Sequence, residues 1–439
     1  MKILDYSQLK GREFTGLSTF QILTYFRRAI VYTFLSIYLR SLGLSTTEVT
    51  LMATVGMIAN ASTQSFLWGN LLDKYRKPNQ FVVIGEMFAG FGHFLMVFVY
   101  IIFLRMNQLI VAGYVIILCL GGIEVFWSMS NVGWSALISE LTVIDERKRI
   151  MGQLSIIGGF GGIGGAFLGG FLFEGGIGFS SGIIFNLAAV IMIFSSVIVY
   201  FSIRLSKEET IQSSGDIRPS ERHTLSTIPS PIRVSYLIFI VALIFINFGR
   251  NSIAIITSLF LADPTGFNAT GEAIGLYSNV GNIASMLAGL VIGSLVAKAD
   301  DNKVMMTGIV LSMIGIAWLI VAPSFALALF ASFLMGSSQV VIQSSSYSIV
   351  ARLAPAEFRG RLFAYYNATF FLSWGIAATL IAGPIADLLI AHGLTNADAY
   401  RGSFIAALVL VGIGIIVLLV SFRYSQRLDL SKESEKDHY

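Results

Sequence analysis

Residues 181–203, from Ser181 to Ile203, read SGIIFNLAAVIMIFSSVIVYFSI and contain no Asp, Glu, Lys or Arg. The hydrocarbon core of a bilayer takes about 20 apolar residues of helix, so this run is long enough to cross it. It is too long and too uniformly apolar for an ordinary strand, and it lacks the period-two alternation of an outer-membrane barrel strand. The same reading repeats along the chain. Twelve spans are predicted, roughly at 17–40, 47–69, 80–104, 109–138, 150–173, 181–203, 235–261, 272–296, 303–322, 325–351, 362–387 and 402–423. The 439 residues divide into about 37 per span, one helix plus a short loop.

Composition points the same way. Hydrophobic residues make up 55% of the chain and charged residues 12%, and the mean hydropathy is +0.77. A soluble domain carries about 25% charged residues. No water-soluble globule hides this much apolar surface. A soluble enzyme, a nucleic-acid-binding module and a disordered protein are therefore excluded. The single cysteine, Cys119, lies in an apolar run, which predicts a small core residue and no disulfide framework. The first 13 residues are polar and charged, with no apolar h-region; no cleaved leader is predicted.

The basic residues set the expected orientation. With both termini in the cytoplasm, 23 of the 29 Lys and Arg fall on inner segments. Only Arg40, Arg105 and Arg401 fall outside, and Arg27, Arg28 and Arg250 lie within spans. That bias satisfies the positive-inside rule and accounts for a pI near 9.0 without an acidic partner. The longest polar segment, 205–232, reads as a cytoplasmic linker. The expected organisation is a cytoplasmic tail at 1–16, a six-helix bundle at 17–204, the linker at 205–232, a second bundle at 233–423 and a cytoplasmic tail at 424–439. The halves echo one another. Tyr25-Phe26-Arg27-Arg28 resembles Asn247-Phe248-Gly249-Arg250, and Arg28 precedes Gly69 by 41 residues as Arg250 precedes Gly293 by 43. Two parallel six-helix repeats are a transporter design.

Between the second and third spans stands Gly69-Asn70-Leu71-Leu72-Asp73-Lys74-Tyr75-Arg76-Lys77-Pro78. It resembles the signature loop of the major facilitator superfamily, G-x-L-x-D-R-x-G-R-K, with the Gly after Tyr75 missing. The resemblance implies an all-α membrane protein with the major facilitator fold, twelve transmembrane helices in two parallel six-helix repeats. It also implies a gating latch. Gly69 would permit close helix packing, and Asp73, with Lys74, Arg76 and Lys77 beside it, would hold a contact that breaks as the halves rock. The alternative is a solvated charged turn that serves topology alone. The matching run Gly293-Ser294-Leu295-Val296-Ala297-Lys298 has Ala297 where the acid would stand, so the latch is expected on one side only.

On the fifth span, Gly152, Gly161, Gly165, Ala166, Gly169 and Gly170 resemble the exporter motif of the same superfamily, with Ala166 in place of a Pro. Small residues one turn apart let backbones approach closely. The resemblance implies contact with the eighth span, proton-driven antiport and a drug-efflux-like branch; the alternative is a generic packing seam.

Charges inside the bilayer are costly and read as functional by default. Arg28 lies about 11 residues into the first span and Arg250 about 15 into the seventh, both near mid-membrane at 1.5 Å per residue. A pair of guanidiniums would clamp a carboxylate or phosphate, as in the superfamily's phosphate-ester exchangers. Alternatively each is neutralised by a protein acid or carbonyl, a role assigned to Arg27 because adjacent helical residues do not share a face. Glu124, mid-way along the fourth span, is the expected proton carrier or the partner of Arg28; the alternative is a structural Glu bonded to a neighbouring helix. Glu86 and His93, seven apart on the third span, share a face; a packing histidine is favoured over a proton relay. Expected substrate contacts are Arg28, Arg250, Glu124, Asn247, Asn251, Trp127, Gln343 and Tyr365, with Tyr32, Asn131, Tyr277, Gln339, Asn367 and Trp374 also on cavity-type helices.

No phosphate-binding loop, metal-ligand cluster or nucleophile motif stands in the sequence. The expectation is a secondary transporter, not an enzyme, with no cofactor, no metal and no nucleic-acid partner. Its partners would be a small-molecule substrate, protons and the lipid bilayer, and it would be a monomer in the cell membrane with both termini cytoplasmic. Proton-coupled efflux of a small organic or amphipathic solute leads. Organic-anion or phosphate-ester exchange and a non-transporting membrane sensor are the alternatives.

Overall fold

The computed structural model describes residues 11–142, 144–203, 230–294, 300–353 and 359–436. The expected linker lies almost wholly outside them, as do most of the N-terminal tail and residues 295–298 of the second loop motif. The described residues fold into helices: α1 Gly11–Ser41, α2 Thr46–Thr63, α3 Gly69–Tyr75, α4 Pro78–Arg105, α5 Leu109–Leu141, α6 Ile144–Phe173, α7 Ile177–Ser180, α8 Ile183–Ser202, α9 Ser230–Ser252, α10 Ala254–Ala262, α11 Gly271–Ser294, α12 Asp301–Val321, α13 Phe325–Leu353, α14 Arg359–Gly375, α15 Gly383–Ala391 and α16 Asn396–Lys436. Wide π-helical turns at Gln64–Trp68 and Ala378–Ala382 join α2 to α3 and adjoin α15.

These segments line up with the twelve expected spans. Among the described residues, nine helices are long and apolar enough to cross a membrane, and the bent pair Tyr365–Gly375 with Ala378–Ala391 makes a tenth. The first two spans fall below that mark because of what they carry: α1 holds Arg27 and Arg28, and α2 holds Glu48, Asn60 and five threonines. Every backbone N–H and C=O must be satisfied inside the segment in lipid, which is why the described spans are helical.

Local signals place the ends. Ser45 and Glu48 close a reciprocal capping box on α2. Pro78 opens α4 at its first turn, where its missing N–H costs nothing. Asp300 caps α12 by accepting from the Asn302 N–H at 2.9 Å.

The chain divides into two compact units. One holds the described residues of Met1–Ile217 together with Asn268–Asn282; the other holds those of Arg218–Phe267 and Ile283–Tyr439. In the first, α1 packs along α6 and α8, and α4 packs against α5 and α8. In the second, α9 packs along α14 and α16, and α12 packs against α13 and α16. Counted by span, these are the same four pairings, so the repeat read in the sequence is also a repeat of packing. One core of the first unit gathers Phe14, Leu17 and Phe20 with Val82, Leu137, Leu154 and Val199. Phe20 stacks on Trp134 there, with centroids 4.6 Å apart.

The glycine stripe of α6 has two faces. A Cβ on Gly161 or Gly165 would overlap the carbonyls of Ile22 and Phe26, and one on Gly169 would lie 2.6 Å from the Phe34 ring, so these three seat α1. Gly170 turns instead to the first turns of α11: a Cβ there would sit 2.9 Å from the Gly271 oxygen, and one on Gly275 would sit 2.6 Å from the Ala166 oxygen. Gly152 differs from the expected seam, since nothing lies within 4 Å of its Cβ position.

Candidate functional site

The first unit concentrates its intramembrane charge around Trp127 on α5. The Arg27 guanidinium lies 5.0 Å from the indole centroid and that of Arg28 lies 5.4 Å away. Arg27 is 3% exposed, while Arg28 is exposed. The sequence expectation set the two apart by helix face; in the structure their long side chains converge on one ring. Neither forms an ion pair among the described residues, and the buried Nη2 of Arg27 has no hydrogen-bond partner there.

Two buried carboxylates stand in the electrostatic reach of this cation pair. Glu124 on α5 accepts from the Tyr32 hydroxyl at 2.9 Å and from the Asn60 amide at 2.8 Å. Arg27 and Arg28 both act on it through space. Glu86 on α4 accepts from Ser130 at 2.8 Å, and Arg27 acts on it through space. Desolvating an ion costs several kcal/mol, so four charged groups in one membrane-embedded cluster are held by mutual compensation and neutral donors. The cluster is neutral when both carboxylates are ionised. His93 lies 2% exposed, with Nδ1 2.9 Å from the Ala89 oxygen and its ring beside Phe185.

Asn60 and Gln64 were not singled out in the sequence, yet they tie α2 to Glu124. The Gln64 side chain donates to the Asn60 oxygen at 2.7 Å. The signal for them is two amides one helical turn apart in a predicted span.

In the loop motif the structure departs from two expectations. Gly69 meets no other helix; the only atom within 4 Å of its Cβ position is the Gln64 oxygen, at 3.2 Å, so its smallness serves the wide turn. Asp73 is exposed and forms no hydrogen bond or ion pair among the described residues. Arg76 ends α3 in a left-handed conformation with φ 50°, Lys74 rests on the Tyr75 ring, and Lys77 is exposed.

The second unit buries Arg250, 8% exposed, among hydroxyls. Its Nε donates to Ser312 at 3.1 Å and its Nη2 to Ser338 at 3.5 Å. No carboxylate is buried in this unit among the described residues. Asn247 donates to Thr369 at 3.1 Å and Asn251 to Ser373 at 2.7 Å, which fixes both to α14. Gln343 and Tyr365 are exposed on the unit. Asp301 accepts from Ser348 at 2.7 Å and lies 3.7 Å from Arg352, so an acid does bridge α12 to α13, four residues beyond Ala297.

The family model described as Major Facilitator Superfamily matches residues 17–378 and 239–438. This chain belongs to the Major Facilitator Superfamily. No curated protein matches it in sequence. Solved structures of similar fold include the nucleoside transporter NupG, at TM-score 0.68 and 13% identity over 94% of this chain and 98% of that one. A bacterial homologue of the iron transporter ferroportin in an inward-facing state gives 0.65 and 18% over 93% and 98%. The peptide transporter POT in complex with sulfate gives 0.63 and 15% over 94% and 95%. At such identities the likeness concerns the major facilitator fold, an integral multi-pass membrane fold built for transport.

Proposed function

We propose that this superfamily member is a secondary active transporter working by alternating access, with proton-coupled efflux of a small organic or amphipathic solute as its leading activity. The observation that carries the reading is Glu124: a buried carboxylate, held only by the neutral donors Tyr32 and Asn60, with Arg27 and Arg28 acting on it. A carboxylate so placed takes a proton when a cation withdraws and releases it when the cation returns. The Gly170–Gly271 contact supports the exporter reading, because α6 and α11 approach there with no side chain between them. The chain would act as a monomer in the cell membrane with both termini cytoplasmic, its halves bounded near 17–204 and 233–423.

A second reading rests on Arg250. It is buried with hydroxyls and with no described acid, so an anionic substrate, clamped with Arg28, would supply the missing charge.

A thermal-shift screen of purified protein in detergent tests the substrate class. Phosphorylated metabolites, carboxylates and lipophilic cations are compared on wild type and Arg28→Gln, since a ligand of the folded state raises the melting temperature. Stabilisation by anions lost in Arg28→Gln supports the clamp; stabilisation of both by cations supports drug efflux. In proteoliposomes, Glu124→Gln is expected to bring pH-gradient-driven flux of the ligand found down to that of empty vesicles. Retained flux would remove Glu124 as the proton site.

A further inference from the structure

The wide turn Gln64–Trp68 stands between the buried Glu124 and the exposed loop motif, and it is fastened to one stretch of α5. In this turn the Gly69 N–H reaches back five residues to the Gln64 oxygen. Such turns mark an inserted residue in a helix and recur at functional sites; Phe66 here is 81% exposed. The turn is tied to α5 at three places. Gln64 donates to Asn60, which donates to Glu124. Thr63 bonds the Ser128 hydroxyl at 2.6 Å. The Trp68 indole N–H donates at 2.7 Å to the carbonyl of Val125, the residue after Glu124. Directly after the turn comes α3, which carries Asp73.

The hydrogen bonds have a definite polarity. An ionised carboxylate only accepts, so Asn60 must present its NH2 group to Glu124 and its oxygen to Gln64. A proton arriving from water on Glu124 Oε2 turns that oxygen into a donor that needs an acceptor. The nearest is the Asn60 carbonyl, reached when the amide rotates by half a turn. Its NH2 group then faces the Gln64 NH2 group, and two donors cannot bond. The Gln64–Asn60 bond as it stands is broken, and Gln64 must leave or turn its own amide over before it bonds again; the new carboxyl O–H replaces one hydronium O–H, and no other covalent bond changes.

We infer that Asn60 and Gln64 are positioning residues that transmit the protonation of Glu124 to the loop motif Gly69–Lys77 through this wide turn. The inference rests on the reading of Glu124 as the proton site. The titratable and charged groups facing Glu124 are Tyr32, Arg27 and Arg28 from α1 and Glu86 from α4; none of them touches Gln64 among the described residues. While Gln64 is detached the Trp68 and Thr63 anchors stay in place, so the turn loosens at one end without melting.

The test uses the full-length protein in liposomes, as Cys119→Ser with Tyr75→Cys carrying a nitroxide. Its spectrum is followed between about pH 4 and pH 9, from just below the ordinary glutamate value to well above it. The label is expected to be restricted at high pH and more mobile at low pH. Gln64→Met and Asn60→Leu, both near-isosteric, are each expected to hold it mobile at every pH; one folded variant suffices. Glu124→Gln is expected to remove the pH response too. A parent-like transition in the Gln64 or Asn60 variant, or no transition in the parent, overturns the relay. A transition that survives in Glu124→Gln instead overturns the proton-site reading beneath it, so the two failures are told apart.

Discussion

In the first unit Arg27 and Arg28 share Trp127 and lie in the field of two buried carboxylates, Glu86 and Glu124. In the second, Arg250 sits among Ser312 and Ser338, and no acid is buried with it among the described residues. The two arginine sites stem from similar runs on repeated helices, yet their chemistry has parted. A guanidinium does not titrate in the working range, whereas a carboxylate does. If Glu124 is the proton site and Arg250 the anion site proposed above, the charge of the first unit responds to protons, while that of the second is fixed and met by a bound anion. Coupling and anion attraction need not compete for one residue.

Removing one member from each cluster is the sharpest way to break this contrast. Glu86→Leu strips a counter-charge from buried Arg27 and is expected to cost about 3–5 kcal/mol, because breaking a compensated cluster leaves an unpaired ion. Arg250→Met removes a buried cation with no partner acid, so it is expected to leave stability unchanged or raise it by about 1–4 kcal/mol. Thermal denaturation of both variants in one detergent checks the pair; equal destabilisation would mean that Arg250 has a counter-charge after all.

The next contrast lies within α6. Gly165→Ala forces a Cβ onto the Phe26 carbonyl and is expected to cost about 1–3 kcal/mol or more by overpacking. Gly152→Ala, in open space, is expected to stay within about 0.5 kcal/mol. Similar melting temperatures for the two would show that the stripe does not seat α1.

Ser312→Ala takes one acceptor from Arg250 and is expected to lose about 1 kcal/mol, with a weaker response to any anionic ligand in the same thermal assay. Asp73→Asn is expected to shift stability least, within about 0.5 kcal/mol, since the side chain is exposed. Its effect should fall on rate, slowing turnover with ligand affinity kept. Wild-type flux would leave the loop with a topological role only.

The spans, the repeat and the small-residue stripe were legible in the sequence because the bilayer imposes its demand residue by residue. A run such as 181–203 has no alternative in water, and Gly161, Gly165 and Gly169 at one-turn spacing announce a close approach without naming the neighbour. The intramembrane charges were also visible, because each is conspicuous in its apolar surroundings. Their partners were not. That Arg27 and Arg28 meet one indole, that Glu124 is held by Tyr32 and Asn60, that Gly69 serves a wide turn and that Gly152 packs on nothing depend on helices far apart in the chain. Hydropathy is a local property, and it decided the helices. Hydrogen bonds and ring contacts across helices depend on rotation and depth, which only packing sets, and they decided the site.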